Sequence, residues 1–153
     1  LTLLERRLLL FYTRRQRDAN EILSDHAAQL DKDDKFHIQE KMVSLVYQAQ
    51  DALYANDLDG FAAILDENWQ LKSSLSEKIA DTSIHQIYAK ARAAGSLGGK
   101  LLGAGGGGFM LFYCHEEKQQ ELRKALAELR EFEFHFDSGG TQIVYAYDAS
   151  HLS

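Results

Sequence analysis

The 153-residue sequence has no proline, one cysteine (Cys114) and two methionines, Met42 and Met110, neither of them at its start. A single thiol excludes an internal disulfide and suits a reducing, cytoplasmic compartment. No apolar run approaches the roughly 20 residues of a membrane span. The apolar LLLFY near the start is too short for a secretory leader and runs straight into Thr-Arg-Arg. Positive charge is scarce as well: 17 Lys and Arg stand against 23 Asp and Glu, a formal net charge of −6. That excludes the basic face of a nonspecific nucleic-acid or anionic-membrane binder. It leaves room for a small anionic ligand held by local backbone N–H groups. The histidines His26, His37, His85, His115, His135 and His151 are scattered. With no H-x-x-E-H or H-x-x-x-H pair and one cysteine, no metal site is expected. No Ser-His-Asp arrangement, internal repeat, linker or low-complexity tract is legible. Because it opens on Leu1, the chain is expected to be a piece of a longer protein.

What is abundant is glycine in one place. Eight of the eleven glycines fall between Gly95 and Gly108, within a stretch that ends GGKLLGAGGGGFMLFYC. Glycine costs backbone entropy on folding, so such density calls for a use. GAGGGG satisfies G-x-G-x-x-G from Gly103 to Gly108. A dinucleotide fold, however, needs a helix to start there, whereas FMLFYC is β-type sequence. A Walker A loop fails because no Gly-Lys-Ser/Thr follows the glycines. What remains is a glycine-rich turn between two strands. It can act as an anion nest, as a place where another backbone or a ligand comes very close, or as a plain turn. A hairpin needs only one or two glycines, not five in six positions.

The rest of the pattern predicts the following order. Leu8–Tyr12 is a short buried strand. Roughly 17–30 is helical, with Ile22, Leu23, Ala27 and Leu30 at helical spacing. From about Lys35 to Ala55, Ile38, Met42, Leu45, Val46, Ala49, Ala52 and Leu53 mark the core face of a long helix. Asn56-Asp57 closes it and caps the next, whose stripe is Leu58, Phe61, Ala62, Leu65 and Trp69. Asp81-Thr82-Ser83 caps a further helix, whose stripe is Ile84, Ile87, Tyr88 and Ala91 and which Gly95 ends in the left-handed conformation. After the strand 109–114, Glu116-Glu117 opens another helix, with Leu122, Ala125, Leu126 and Leu129 inward. Phe132, Phe134 and Phe136, then Ser138-Gly139-Gly140 and Ile143–Tyr145, read as a β-hairpin. Strands of this number with hairpin links predict an α+β domain, an antiparallel sheet with helices packed on one face. Wholly helical and doubly wound arrangements fit that order worse.

GGKLLGAGGGGFMLFY resembles the third conserved motif of the GHMP small-molecule kinases. LLLFYT, ANEIL (19–23), NWQLKSSLS (68–76), SLGGK (96–100) and EFEFHFDSGGTQIVY extend the likeness over nearly the whole chain. The NWQLKSSLS segment tilts it toward the heptose 7-phosphate kinase branch. The resemblance implies a ferredoxin-like plait with an inserted helical segment, a single domain over 1–153 that forms the C-terminal lobe. The P-x-x-x-G-L-G-S-S motif of the N-terminal, ATP-binding lobe does not occur here. The lobe alone is therefore expected to be inactive, with no catalytic residue of its own. Its implied partners are the missing lobe and a phosphorylated sugar, with ATP and Mg²⁺ in the complete kinase only.

The resemblance places Gly103, Ala104, Gly105, Gly106, Gly107 and Gly108 beside the ATP-phosphate loop and the substrate. Arg17, where the family commonly has an arginine, is either a bidentate grip on a sugar phosphate or a solvated charge at a helix start. Lys100 is either a phosphate contact or a solubilising lysine at a strand edge. Arg14 and Arg15 depart from the small or apolar pair expected after Thr13. Two other functions stay open: a free-standing small-molecule-binding or regulatory domain, and a dimerisation module. Loss of a lobe predicts self-association through surface near the glycine loop and sheet.

Overall fold

A computed structural model describes residues 1–15, 33–75, 79–103 and 106–140. The expected helix over 17–30 and the strand over 143–145 lie outside the described residues. The elements are α1 (Thr2–Arg7), β1 (Leu8–Tyr12), α2 (Asp33–Tyr54), α3 (Leu58–Leu75), α4 (Thr82–Ala93), β2 (Ser96–Leu101), β3 (Phe109–Cys114), a 3₁₀ turn at Glu116–Lys118, α5 (Gln119–Ala125) and β4 (Arg130–Phe132). All four strands join one sheet in the order β2-β3-β1-β4. Every pairing is antiparallel: Leu8 faces Tyr113, Leu10 faces Phe132 and Leu101 faces Met110. The plait is thus the α+β arrangement expected.

Alternation along the strands sorts side chains between two faces. Leu9 and Phe11 of β1 and Met110, Phe112 and Cys114 of β3 point into the main core. There they meet Ile84, Ile87, Tyr88 and Ala91 of α4, Leu122 of α5, and Leu126 just beyond it. The α4 stripe falls at the predicted spacing. Its start is fixed by Asp81, whose carboxylate accepts from the N–H groups of Ser83 and Ile84 at 3.0 and 3.1 Å. The next residues of each strand, Leu8 and Tyr113, form a smaller cluster on the other face with Leu4, Leu58 and Ala62. Helices therefore cover most of one face, while α1 and the first turns of α3 cover part of the second.

Helix α3 spans both clusters because it passes against the edge strand β2. Leu58 and Ala62 belong to the second face, and Trp69, 1% exposed, belongs to the main core. The close approach is possible because Gly98 has no side chain. A Cβ there would lie 1.9 Å from the Ala62 carbonyl oxygen. The Tyr88 hydroxyl, buried beside this contact, donates to Asp66 of α3.

Helix α2 is only partly a core helix. Leu45 is buried, and Ile38 and Met42 pack against Leu75 and Ile79. Val46 and Leu53, expected on the same face, are 62% and 40% exposed. Helix α2 packs chiefly on α3, so only a narrow stripe of it is covered. Phe36, Val43, Tyr47 and Tyr54 are exposed as well. Among the described residues, exposed large apolar side chains thus concentrate on α2 rather than around the glycine loop. The strand expected from Phe132 to Phe136 stops at Phe132; Phe134 leaves the sheet to pack on the second-face cluster.

Candidate functional site

The glycine loop joins β2 to β3, and Leu102 N–H closes its base on the Phe109 carbonyl at 2.8 Å. Three separate stretches of chain then tie it down. Gly106 N–H donates to the Ile79 carbonyl at 2.8 Å, just before α4. Gly108 N–H donates to the Arg15 carbonyl at 2.9 Å, and the Thr13 N–H and hydroxyl both donate to the Gly108 carbonyl, at 2.8 and 2.9 Å. The Lys72 ammonium, from α3, donates to the Gly103 carbonyl at 2.6 Å.

Glycine is required in this loop for two distinct reasons. Gly107 lies against the chain leaving β1: an added Cβ would meet the Arg15 carbonyl oxygen at 2.6 Å. Gly108 has open space around it but a φ of +95°, a region that residues with a Cβ rarely adopt. One bare position is therefore occupied by the protein's own backbone. That close approach was anticipated, but its internal partner was not.

Arg15 bears on the departure noted at positions 14 and 15. Its guanidinium forms an ion pair with Asp81, the residue that caps α4. Burial alone would raise the Asp81 carboxyl; the bonds from Ile84 and Ser83, with Arg15 beside it, outweigh burial and hold it below the ordinary carboxylate range. Arg14 is exposed and has a φ of +58°. One of the two unexpected arginines thus latches the β1 exit to the α4 start, directly beside the loop.

On the α3 side lies an open cavity of about 340 Å³. Gln39, Met42, Val43 and Val46 of α2, Asn68 and Lys72 of α3, and Lys100 of β2 line it. The Lys72 ammonium is pushed down from the ordinary lysine value, first by burial and then by the charge of Lys100. Gly103, Gly106, Gly107, Gly108 and Lys100 are therefore gathered around one loop; Ala104, Gly105 and Arg17 lie outside the described residues. Sequence reasoning missed Lys72, Arg15 and Asp81 as loop supports. Lys72 carried one signal: it stands four residues after Asn68, on the same face of a helix. Among the described residues, no group of three or more His, Cys, Asp or Glu is placed to hold a metal ion. No helix among them is long and apolar enough to cross a membrane.

With this geometry in hand, the chain can be set beside known proteins. The family described as GHMP kinases C terminal matches residues 49–131. The D-glycero-alpha-D-manno-heptose 7-phosphate kinase of Campylobacter jejuni subsp. jejuni serotype O:2 is 31% identical over 123 residues, which are 80% of this chain and 36% of that protein. The bifunctional fucokinase/GDP-fucose pyrophosphorylase of Arabidopsis thaliana is also 31% identical, over 85% of this chain and 12% of its own length. Among solved structures, L. major mevalonate kinase in complex with R-mevalonate superposes with a TM-score of 0.73. It is 19% identical, with 81% of this chain and 40% of that one covered. That likeness is one of fold. The chain spans little more than a third of the heptose kinase and far less of the bifunctional protein.

Proposed function

Since the chain belongs to the GHMP kinase family through its C-terminal domain, we propose that it is the substrate-side lobe of an ATP-dependent sugar kinase acting on a heptose 7-phosphate. The observation that carries this reading is the glycine loop, whose described residues Gly103, Gly106 and Gly108 are held by three other parts of the chain. A relative 31% identical over 80% of the chain bears the name of that activity. The anomeric hydroxyl would accept the γ-phosphoryl group of ATP, giving a 1,7-bisphosphate for polysaccharide synthesis in the cytoplasm.

Phosphoryl transfer of this kind is mostly positioning and charge neutralisation. ATP supplies the phosphoryl group. By the family resemblance, the metal and the nucleotide phosphates would be held by an N-terminal lobe that this chain would meet. This lobe's part is to present a thin backbone ridge against the phosphate loop and to place positive charge near the sugar phosphate. Lys100 and Arg17 are the residues proposed for that charge. By itself the chain would not turn over.

Mixing it with a separately produced N-terminal lobe should restore ATP-dependent phosphorylation of heptose 7-phosphate. A well-folded mixture that forms a complex yet leaves the sugar untouched would count against the kinase reading. The exposed stripe Phe36, Val43, Tyr47 and Tyr54 on α2 favours a second reading, a dimerisation module. Light scattering separates the two: a dimer that persists in the presence of the N-terminal lobe, with no turnover, supports the second.

A further inference from the structure

The cavity between α2, α3 and β2 is lined by two lysines, Lys72 and Lys100, in a chain whose net charge is −6, and the charge of Lys100 is felt at Lys72. Neither Lys72 nor Lys100 has a carboxylate partner among the described residues, although Lys41 of α2 reaches Glu67 of α3 at 2.7 Å. The two lie on different elements, so neither sequence proximity nor a helix face forces them together. Lys100 stands opposite Leu111 in the ladder, and Lys72 comes from the last turns of α3.

Two like charges brought together and partly desolvated repel each other, and an anion between them removes that cost. Asn68, with no partner among the described residues, adds a neutral amide donor. Met42, Val43 and Val46 add apolar side chains to the lining of this open cavity. An ammonium carries three donors. Lys72 uses one on the Gly103 carbonyl, so two remain for a ligand.

We propose that Lys72, Lys100 and Asn68 form a binding site for a phosphate dianion, and that Lys72 ties its occupancy to the position of the glycine loop. Free phosphate and a sugar phosphate share the chemistry that this site reads. The site extends the role given above to Lys100 and rests on the kinase reading only for the identity of its natural occupant. Binding needs neither ATP nor the other lobe.

The test is a titration of the ¹⁵N-labelled chain, at constant ionic strength, first with sodium phosphate and then with a hexose 6-phosphate. Saturable shifts are expected at the amides of Lys72, Lys100 and Gly103, all fitting one Kd. Lys100→Met should weaken binding by about tenfold, the loss of one charge-assisted contact. Lys100→Arg should retain it, and Lys41→Met should leave it unchanged. The same spectra report whether each variant is folded. Equal affinity for both anions assigns the site to free phosphate, and tighter binding of the hexose phosphate assigns it to a sugar phosphate. Shifts that do not saturate, that chloride reproduces, or that survive Lys100→Met overturn the site. Such a result would leave the lobe-mixing assay of kinase activity untouched, so the two failures are separable.

Discussion

The contact between Gly98 and α3 offers a sharp test of how the edge strand and the helix are fitted together. An alanine at 98 places its Cβ 1.9 Å from the Ala62 carbonyl oxygen and 2.9 Å from the Ala62 carbonyl carbon. Both are backbone atoms in the middle of a helix, so no side chain can swing aside. To reach an ordinary contact of 3.4 Å, α3 must retreat from β2 by about 1.5 Å, and gaps of even half that size forfeit a quarter to a half of a dispersion contact. Ala62 is fully buried and Trp69 is 1% exposed, so both flanks of the helix would loosen together. Overpacking costs typically 1–3 kcal/mol, and more when rigid groups collide. The stiffer unfolded chain returns only about 0.4–1 kcal/mol. A net loss of about 2 kcal/mol lowers the melting temperature of a domain this size by roughly 4–8 °C. The assay is a thermal melt of Gly98→Ala followed by far-UV circular dichroism and by the fluorescence of Trp69, the only tryptophan. Gly103→Ala is the control: nothing lies within 4 Å of its Cβ, and its φ of +77° carries a backbone cost of about 1 kcal/mol alone. If Gly98→Ala melts within a degree of the parent, the close packing of α3 on β2 is wrong.

Three further outcomes follow from the same geometry. Asp81→Ala should cost about 1–2 kcal/mol at pH 7, since it removes a helix cap and the Arg15 latch together. Because the folded carboxyl titrates below its ordinary value, this contribution is complete at neutral pH and is lost as pH falls through the folded value. In urea melts, the gap between the two proteins should therefore narrow below about pH 4. Cys114 is fully buried, and its thiol is pushed up to about 11, first by burial and then by the Glu117 charge; a thiol-specific reagent should label it only as fast as the domain unfolds. Gly106→Val, at a buried position with a φ of +73°, should abolish turnover in the complex with an N-terminal lobe. Normal turnover would remove the loop from the proposed function.

Much of this architecture was legible because it rests on local rules. The strand over Leu8–Tyr12, the cap at Asp81, the α4 stripe and the β-type run after the glycines each follow from residue type and spacing. The long helix was placed within two residues at each end, yet its buried face was drawn too wide. Periodicity reports which residues share a face, not how much of that face a neighbour covers, and Val46 and Leu53 fall beyond the reach of α3. The short helix Thr2–Arg7 was not anticipated, since its one buried residue, Leu4, gives no period. At the site, glycine density drew attention to the right loop, whereas its supports are long-range. Ile79, Arg15 and Lys72 reach it from three segments, and nothing in the spacing of those residues announces a common target.

That dependence has a practical consequence for protein engineering. GAGGGG is not a cassette. Spliced into some other hairpin, it would keep its suppleness and lose its form, for the form is lent by an arginine carbonyl, an isoleucine carbonyl and a lysine ammonium dozens of residues away. Anyone wishing to transplant it must carry across the surrounding scaffold too.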